Sequence, residues 1–323
     1  MGTKSSDDNQ QPVPNFSAVV PVFRGRSTLE DLCRRLEEFF VSRGSTYEII
    51  LIDDNSRDGS WQQIKSLTER SPRILGIRLM KNFGQHNATN CGLAIARGDF
   101  VITLDEDLQH APEEIGELIE RQKQEDADVV YGIPRERQHA WWRRLGSRAA
   151  MLLPRYVMGI TFDISSFRLI RRPVAKVVSS SIRHDIVIDV YISWTTNRIA
   201  AIPVHHKEGR PSTYSPRRLI SLMVDLLCNY TVLPLRLSAG LGAMLSAVAF
   251  FVAAYFAVLK MLRGVNVPGF TAIMVTVLFS TGVVLLSVGV ASEYLARVFL
   301  HVNRKPQWVI RESTDDERLE RDS

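Results

Sequence analysis

The chain has few cysteines: Cys33, Cys91 and Cys228 among 323 residues, with no CxxC pair. That scarcity excludes a disulfide-stapled secreted domain and a thiolate zinc site, and it fits a reducing compartment. The opening stretch MGTKSSDDNQQPVPN lacks an apolar core, so residues 1–15 read as a disordered leader and not a secretory signal. No P-loop and no Ser-His-Asp order is visible, and Gly240-Leu241-Gly242 falls inside an apolar run, not in a dinucleotide loop. Charge is missing altogether from Leu237 to Leu259, 23 residues, and from Gly264 to Ser292, 29 residues. Each run exceeds the roughly 20 residues a helix needs to cross a bilayer core. A mean hydropathy of -0.03 therefore averages a water-soluble part with two membrane spans.

Basic residues flank those spans unequally. Arg217, Arg218 and Arg236 precede the first, and Arg297, Arg304, Lys305 and Arg311 follow the second, against Lys260 and Arg263 between them. The positive-inside rule predicts both ends in the cytoplasm and a short outer hairpin containing Pro268 and Gly269. Residues 311–323 hold three basic and six acidic residues, a charge of -3, which leaves +8 on the remainder of a chain whose total is +5. Basic excess beside apolar spans suits an anionic lipid surface, and no nucleic-acid recognition motif accompanies it.

Residues 16–206 alternate apolar runs with amphipathic stretches. Strands are predicted at Ser17–Phe23, Tyr47–Ile52, Ile74–Leu79, Phe100–Leu104 and Asp128–Tyr131. Helices are predicted at Leu29–Val41, Trp61–Glu69, Gln85–Ala96 and Glu113–Gln124. The alternation implies an α/β domain over 16–214 with a parallel sheet covered on both faces. Two segments, 141–158 and 215–234, mix Trp, Leu and Tyr anchors with arginines, the pattern of helices lying on a membrane surface. Spans within 235–300 and a cytosolic charged tail over 301–323 complete the organisation.

In an open parallel sheet, ligands sit beyond the carboxyl ends of the strands, and acids collect there. One strand runs into Asp53-Asp54-Asn55-Ser56, another into Asp105-Glu106-Asp107-Leu108-Gln109. In extended chain Asp105 and Asp107 project to one side. Two such hard carboxylates beside a diphosphate suit Mg2+ or Mn2+. Glu113 and Glu114, after Pro112, read instead as helix N-terminal acids complementing the dipole. Adjacent His205 and His206 face opposite ways on a strand, which suits strand-end hydrogen bonding better than chelation.

The segments SAVVPVF, EIILIDDNSRDGS, NFGQHNATNCGLAIARGDFVITLDEDLQHAPEEI, SSFRLIRR and IPVHH together resemble the family 2 glycosyltransferases that load a sugar onto a polyprenyl phosphate. The branch with two C-terminal spans, which includes bactoprenol glucosyltransferases and undecaprenyl-phosphate 4-deoxy-4-formamido-L-arabinose transferase, is the most similar. GVNVPGF and SVGVASEYLARVF resemble its membrane anchor, and the likeness covers roughly residues 16–310.

That resemblance implies a GT-A (Rossmann-like) fold, a UDP-sugar donor, a divalent metal, an undecaprenyl (polyprenyl) phosphate acceptor, a bacterial inner-membrane location and a homo-oligomer. It places Pro21, Phe23, Asp53, Asp54, Asp105 and Arg135 at the nucleotide-sugar, and Asp105, Asp107 and Gln109 at the metal. Arg143, Ser147, Arg168 and Arg210 fall to the acceptor phosphate. Asp107, Asp163 and Arg168 fall to catalysis, with Asp163 a weak base or an arginine-orienting group. The chain departs from the family pattern at three places. Relatives read PVYNE where it has Pro21-Val22-Phe23-Arg24-Gly25; they carry an acid where it has Ser166; and SKYS becomes Ser212-Thr213-Tyr214-Ser215. A processive polysaccharide synthase would resemble family members with QxxRW and more spans, and QxxRW is absent. A non-catalytic nucleotide- or lipid-binding scaffold is the alternative from another class, and intact Asp105, Asp107, Gln109 and Arg168 speak against it.

Overall fold

The computed structural model describes residues 13–135, 164–180, 187–205, 233–263, 269–302, 306–316 and 318. The chain divides into a sheet unit, within Met1–Arg144, Ile160–Ser212 and Arg304–Ser323, and a helical unit, within Leu145–Gly159 and Thr213–Asn303.

Among the described residues, the sheet unit has β1 (Phe16–Val22), β2 (Tyr47–Asp53), β3 (Ile74–Leu79), β4 (Phe100–Thr103), β5 (Val129–Pro134), β6 (Arg168–Arg171), β7 (Ile199–Val204) and β8 (Ile310–Ser313). They form one sheet in the order β7-β5-β6-β4-β1-β2-β3-β8. β1 pairs in parallel with β2 and β4, β2 with β3, and β5 with β7. The wholly parallel expectation is corrected at two strands. β6 runs antiparallel between β4 and β5, and β8 runs antiparallel along β3. Their sequences, RLIR and IRES, are four residues long and carry arginines, so neither shows the continuous apolar run by which buried parallel strands are read, although β6 is buried at three of its four positions.

β1 (FSAVVPV) and β2 (YEIILID) are buried at every position, which is why their sequences do not alternate. The helices α1 (Leu29–Ser42), α2 (Ser60–Arg70), α3 (Gln85–Ile95) and α4 (Ile115–Glu125) separate the first five strands. A 3-10 turn, Pro112–Glu114, precedes α4. α1 buries Leu29, Leu32, Cys33, Leu36 and Phe40 at helical spacing. The Phe40 ring stacks 5.7 Å from Phe16 and 4.9 Å from Tyr47. Burial pushes the Cys33 thiol up to about 12, leaving it an inert core residue. α5 (Arg172–Ser179) follows β6, and α6 (Ile188–Thr195) precedes β7.

Residues 301–323, read from charge as a tail, contribute the edge strand β8. Thr314 Oγ1 accepts the Gly76 amide at 2.9 Å, and Gln307 Oε1 accepts from Asn90 Nδ2 at 2.9 Å. Arg318 pairs with Glu48, a buried acid that also accepts from the Ser17 hydroxyl and the Arg97 amide. A buried ion pair broken on one side leaves an uncompensated charge. Arg318→Ala should therefore lower Tm by several degrees, moderated by the partners Glu48 retains. Deleting residues 306–323 uncovers the β3 edge, and size-exclusion chromatography should show aggregates.

The helical unit holds α7 (Leu233–Arg263) and α8 (Phe270–Val302). At 1.5 Å per residue each exceeds about 45 Å, longer than a hydrocarbon core. Pro234–Val252 and Phe279–Ala296 are apolar enough to span one, and neither window is buried. Of the segments expected at the interface, 141–158 and 215–234, the first and residues 215–232 of the second lie outside the described residues, and Leu233 and Pro234 open α7.

Candidate active site

Two adjoining clefts open where β1, β2 and β4 end. The larger, about 410 Å³, is lined by Pro21, Val22, Phe23, Asp54, Asn82, Gly84, Gln85, Asp105, Glu106 and Asp107. The smaller, about 260 Å³, shares Pro21, Gln85 and Asp105 and adds among others His86, Thr103, Ser165, Ser166, Arg168 and Asp189. Asp105 thus stands on the border of both.

The loops that carry these residues are held in strained backbone. Three of the four non-glycine residues with positive φ among those described, Arg24 (64°), Asn55 (57°) and Leu108 (57°), follow β1, β2 and β4. A left-handed leucine is costly, and such residues persist where surrounding contacts fix them and cluster at functional sites. Leu108 packs against the core, and its turn lets the Gln109 amide donate to Asp107 Oδ1 at 3.1 Å.

Asp105 accepts hydrogen bonds from Gln85 Nε2 and, at 2.6 Å, from Ser166 Oγ. Burial raises its carboxyl above the usual range, the Ser166 bond opposes the shift, and the Asp107 charge adds to it. Burial likewise pushes Glu106 up to about 7, with the charges of Asp105 and Asp107 contributing. Negative potential therefore accumulates on this loop. Where relatives carry an acid, this chain thus has a hydroxyl that donates to the Asp105 carboxylate.

Asp54 spends both oxygens on the loop before α3, accepting the Phe83 amide at 2.7 Å and the Gly84 amide at 2.8 Å. Asp53 lines neither cleft. It is fully buried, accepts the Ser56 amide at 3.0 Å and faces Arg78 Nε at 3.3 Å, which makes it a brace for the loop after β2. Pro21 lines both clefts, and the Phe23 ring is 43% exposed on the larger one. Gly25 stands where the family pattern has an acid, and the space above it is filled from the loop after β4. A Cβ there would lie 2.6 Å from Glu106 Cγ.

Arg168 is only 3% exposed. Its Nη1 lies 2.9 Å from Asp189 Oδ1, and its Nε donates to the Ser165 carbonyl at 3.0 Å. Tyr131 OH donates to the same Asp189 oxygen at 2.9 Å. Asp189, 1% exposed, is thus the counter-ion of the arginine. Sequence reasoning missed it, and also missed Gln85, Glu106 and Ser166 as members of the clefts.

Arg135 sits away from both clefts, with Nε donating to the Pro203 carbonyl at 3.1 Å and Nη1 lying 3.3 Å from His205 Nε2. His205 is tied to Glu114, and Glu113 to Arg35, so these groups serve the framework around α4. Gln109 is half-buried on the Asp107 loop. Arg143, Ser147, Asp163, His206 and Arg210 lie outside the described residues. Among the described residues no group of three or more His, Cys, Asp or Glu forms a metal cage.

A family model described as glycosyl transferase family 2 matches residues 17–179. The undecaprenyl-phosphate 4-deoxy-4-formamido-L-arabinose transferase of Pseudomonas aeruginosa (strain LESB58) is 35% identical over 307 residues, covering 93% of this chain and 90% of the relative. The protein of that name from Pseudomonas paraeruginosa (strain DSM 24068 / PA7) is 34% identical over the same span. Among solved structures, glucosyl-3-phosphoglycerate synthase from Mycobacterium tuberculosis in complex with UDP superposes with a TM-score of 0.50 at 18% identity, covering 66% of this chain and 79% of that one. The last likeness is one of fold.

Proposed function

The chain belongs to glycosyl transferase family 2, and from that premise we propose that it is an inverting membrane enzyme moving a sugar from a UDP-sugar to undecaprenyl or a related polyprenyl phosphate. It is a glycosyltransferase with a GT-A-like fold. The observation that carries the finer reading is the pair of clefts sharing Asp105, one lined by acids beside an exposed aromatic ring, the other by a buried arginine. The first suits a nucleotide diphosphate, the second an incoming phosphate. The named activity of the Pseudomonas relatives supports the same acceptor.

Asp105 and Asp107 are hard oxygen donors on a loop where burial, and then the Asp107 charge, raise the Asp105 carboxyl, so they fit a divalent cation that would complete its shell with phosphate and water. When bound, Mg2+ or Mn2+ offsets the charge developing on the departing diphosphate. Asp105 and Asp107 would hold it, with Gln109 on the same loop. Gln85 and Ser166 fix the Asp105 rotamer. A phosphate monoester has its second pKa near ~6, so the acceptor arrives as a ready nucleophile and needs little proton transfer. Arg168, oriented by Asp189 and Ser165, presents a guanidinium beside the sugar carbon and holds the acceptor in line for single displacement. Arg143, Ser147 and Arg210 add to the acceptor side, and Asp163 orients an arginine or assists weakly as a base.

The topology reading is a bacterial inner-membrane protein with both ends cytoplasmic. It is supported by β8, which follows α7 and α8 yet lies in the same sheet as β1. Strands of one sheet share one side of a membrane, so an even number of crossings must intervene. The test is incubation of purified protein with labelled UDP-sugars, Mg2+ or Mn2+ and undecaprenyl phosphate, followed by lipid extraction. A singly glycosylated lipid, lost with a chelator, is expected. Polymer would point to a processive synthase, and no transfer from any donor would overturn the enzyme reading.

A further inference from the structure

Glu106 lies between the two proposed metal-binding aspartates, but its side chain leaves them and crosses to the loop after β1. There its Oε1 accepts the Phe23 amide at 3.2 Å. The crossing depends on Gly25. A Cβ at that position would sit 2.6 Å from Glu106 Cγ and 3.3 Å from Glu106 Cβ, so any larger residue pushes the glutamate aside. Of the other acids lining the larger cleft, Asp54 has both oxygens on the Phe83 and Gly84 amides, Asp105 accepts from Gln85 and Ser166, and Asp107, proposed above for the metal, accepts the Gln109 amide.

We propose that Glu106 reads the ribose of the donor nucleotide, its carboxylate accepting a hydrogen bond from a ribose hydroxyl, and that Gly25 is the residue that makes room for it. The inference rests on the donor reading above. A diphosphate held at Asp105 and Asp107 puts the attached ribose next along the ligand, and the exposed Phe23 ring offers a stacking face for the base beyond it. Glu106 stands between those two anchors. Around it Pro21, Val22 and Phe23 supply apolar side chains, so its carboxylate is the local acceptor for a sugar hydroxyl, the chemistry by which acids read ribose in nucleotide-binding folds.

The experiment is calorimetric binding to the full chain in detergent, with UDP, 2′-deoxy-UDP and 3′-deoxy-UDP as probes, for wild type, Glu106→Gln, Glu106→Ala and Gly25→Ala. A hydrogen bond to a charged group corresponds to about 10- to 100-fold in affinity. The wild type should prefer UDP over one deoxy analogue by about that factor. Glu106→Gln, which keeps the shape, should lose most of the preference, and Glu106→Ala all of it. Gly25→Ala should weaken UDP in the wild-type background and be near neutral when combined with Glu106→Ala, with thermal melts confirming that each variant folds. Full discrimination retained by Glu106→Ala overturns the proposal, as does a wild type indifferent to both hydroxyls. Failure of the wild type to bind UDP while binding GDP or CDP overturns the donor reading instead, and the ribose comparison then runs with the deoxy forms of the nucleotide that binds.

Discussion

Asp107→Ala is expected to abolish sugar transfer while leaving the fold intact. Asp107 is exposed on the loop after β4, and its one hydrogen bond described above comes from the Gln109 amide, so truncation removes little packing. Its proposed task is electrostatic. A cation at a departing diphosphate contributes several kcal/mol, and each 1.36 kcal/mol is tenfold in rate, so a loss of about a thousandfold or more follows. The readout is labelled lipid formed per minute, with Tm within about a degree of wild type. Asp163→Ala provides the contrast: an acceptor that is already dianionic needs little help from a base, so this variant should keep measurable transfer. Equal and complete loss in both variants, with donor binding retained by Asp163→Ala, would count against that chemistry.

The second large effect lies in the buried pair behind the smaller cleft. Asp189→Ala leaves the Arg168 guanidinium, 3% exposed, without its counter-ion and the Tyr131 hydroxyl without its acceptor. Breaking one side of such a pair costs about 3–5 kcal/mol, which for a domain of this size lowers Tm by on the order of 10 °C. Arg168→Ala should cost a similar amount, because it strands the carboxylate. The double variant Arg168→Met with Asp189→Leu separates structure from chemistry. Two apolar residues of similar volume can recover much of the stability, yet the cleft then has no arginine, so transfer stays near background. Recovery of activity along with stability would show that the arginine acts only as a structural post.

The legible parts of the fold are those that carry a continuous apolar run or an apolar stripe at helical spacing. β1 to β5 are apolar runs bounded by turn residues, and α1 to α4 show helical spacing, so each falls within a few residues of its expected limits. β8 escaped because IRES is short and polar, and its partner β3 lies more than 230 residues earlier, a pairing no local pattern announces. β6 escaped for a related reason, since RLIR places an arginine at each end of a four-residue strand. At the site, Asp105 and Asp107 were readable from their spacing after an apolar strand, and Arg168 from the family resemblance. Asp53 carried the same local signal as Asp54 but turns to Arg78 inside the fold. Asp189 gave no signal, because what selects it is a tertiary ion pair between α6 and β6.

The position of β8 also sets a timetable for making the protein. The ribosome releases β1 to β7 before it has synthesised the strand that covers β3, and both long apolar helices must emerge in between. During that interval the nascent sheet carries an open edge, and Glu48 waits for Arg318. Maturation is thereby coupled to insertion, because a chain stalled before β8 has a catalytic sheet with an unfinished border, the kind of intermediate that chaperones hold and proteases remove.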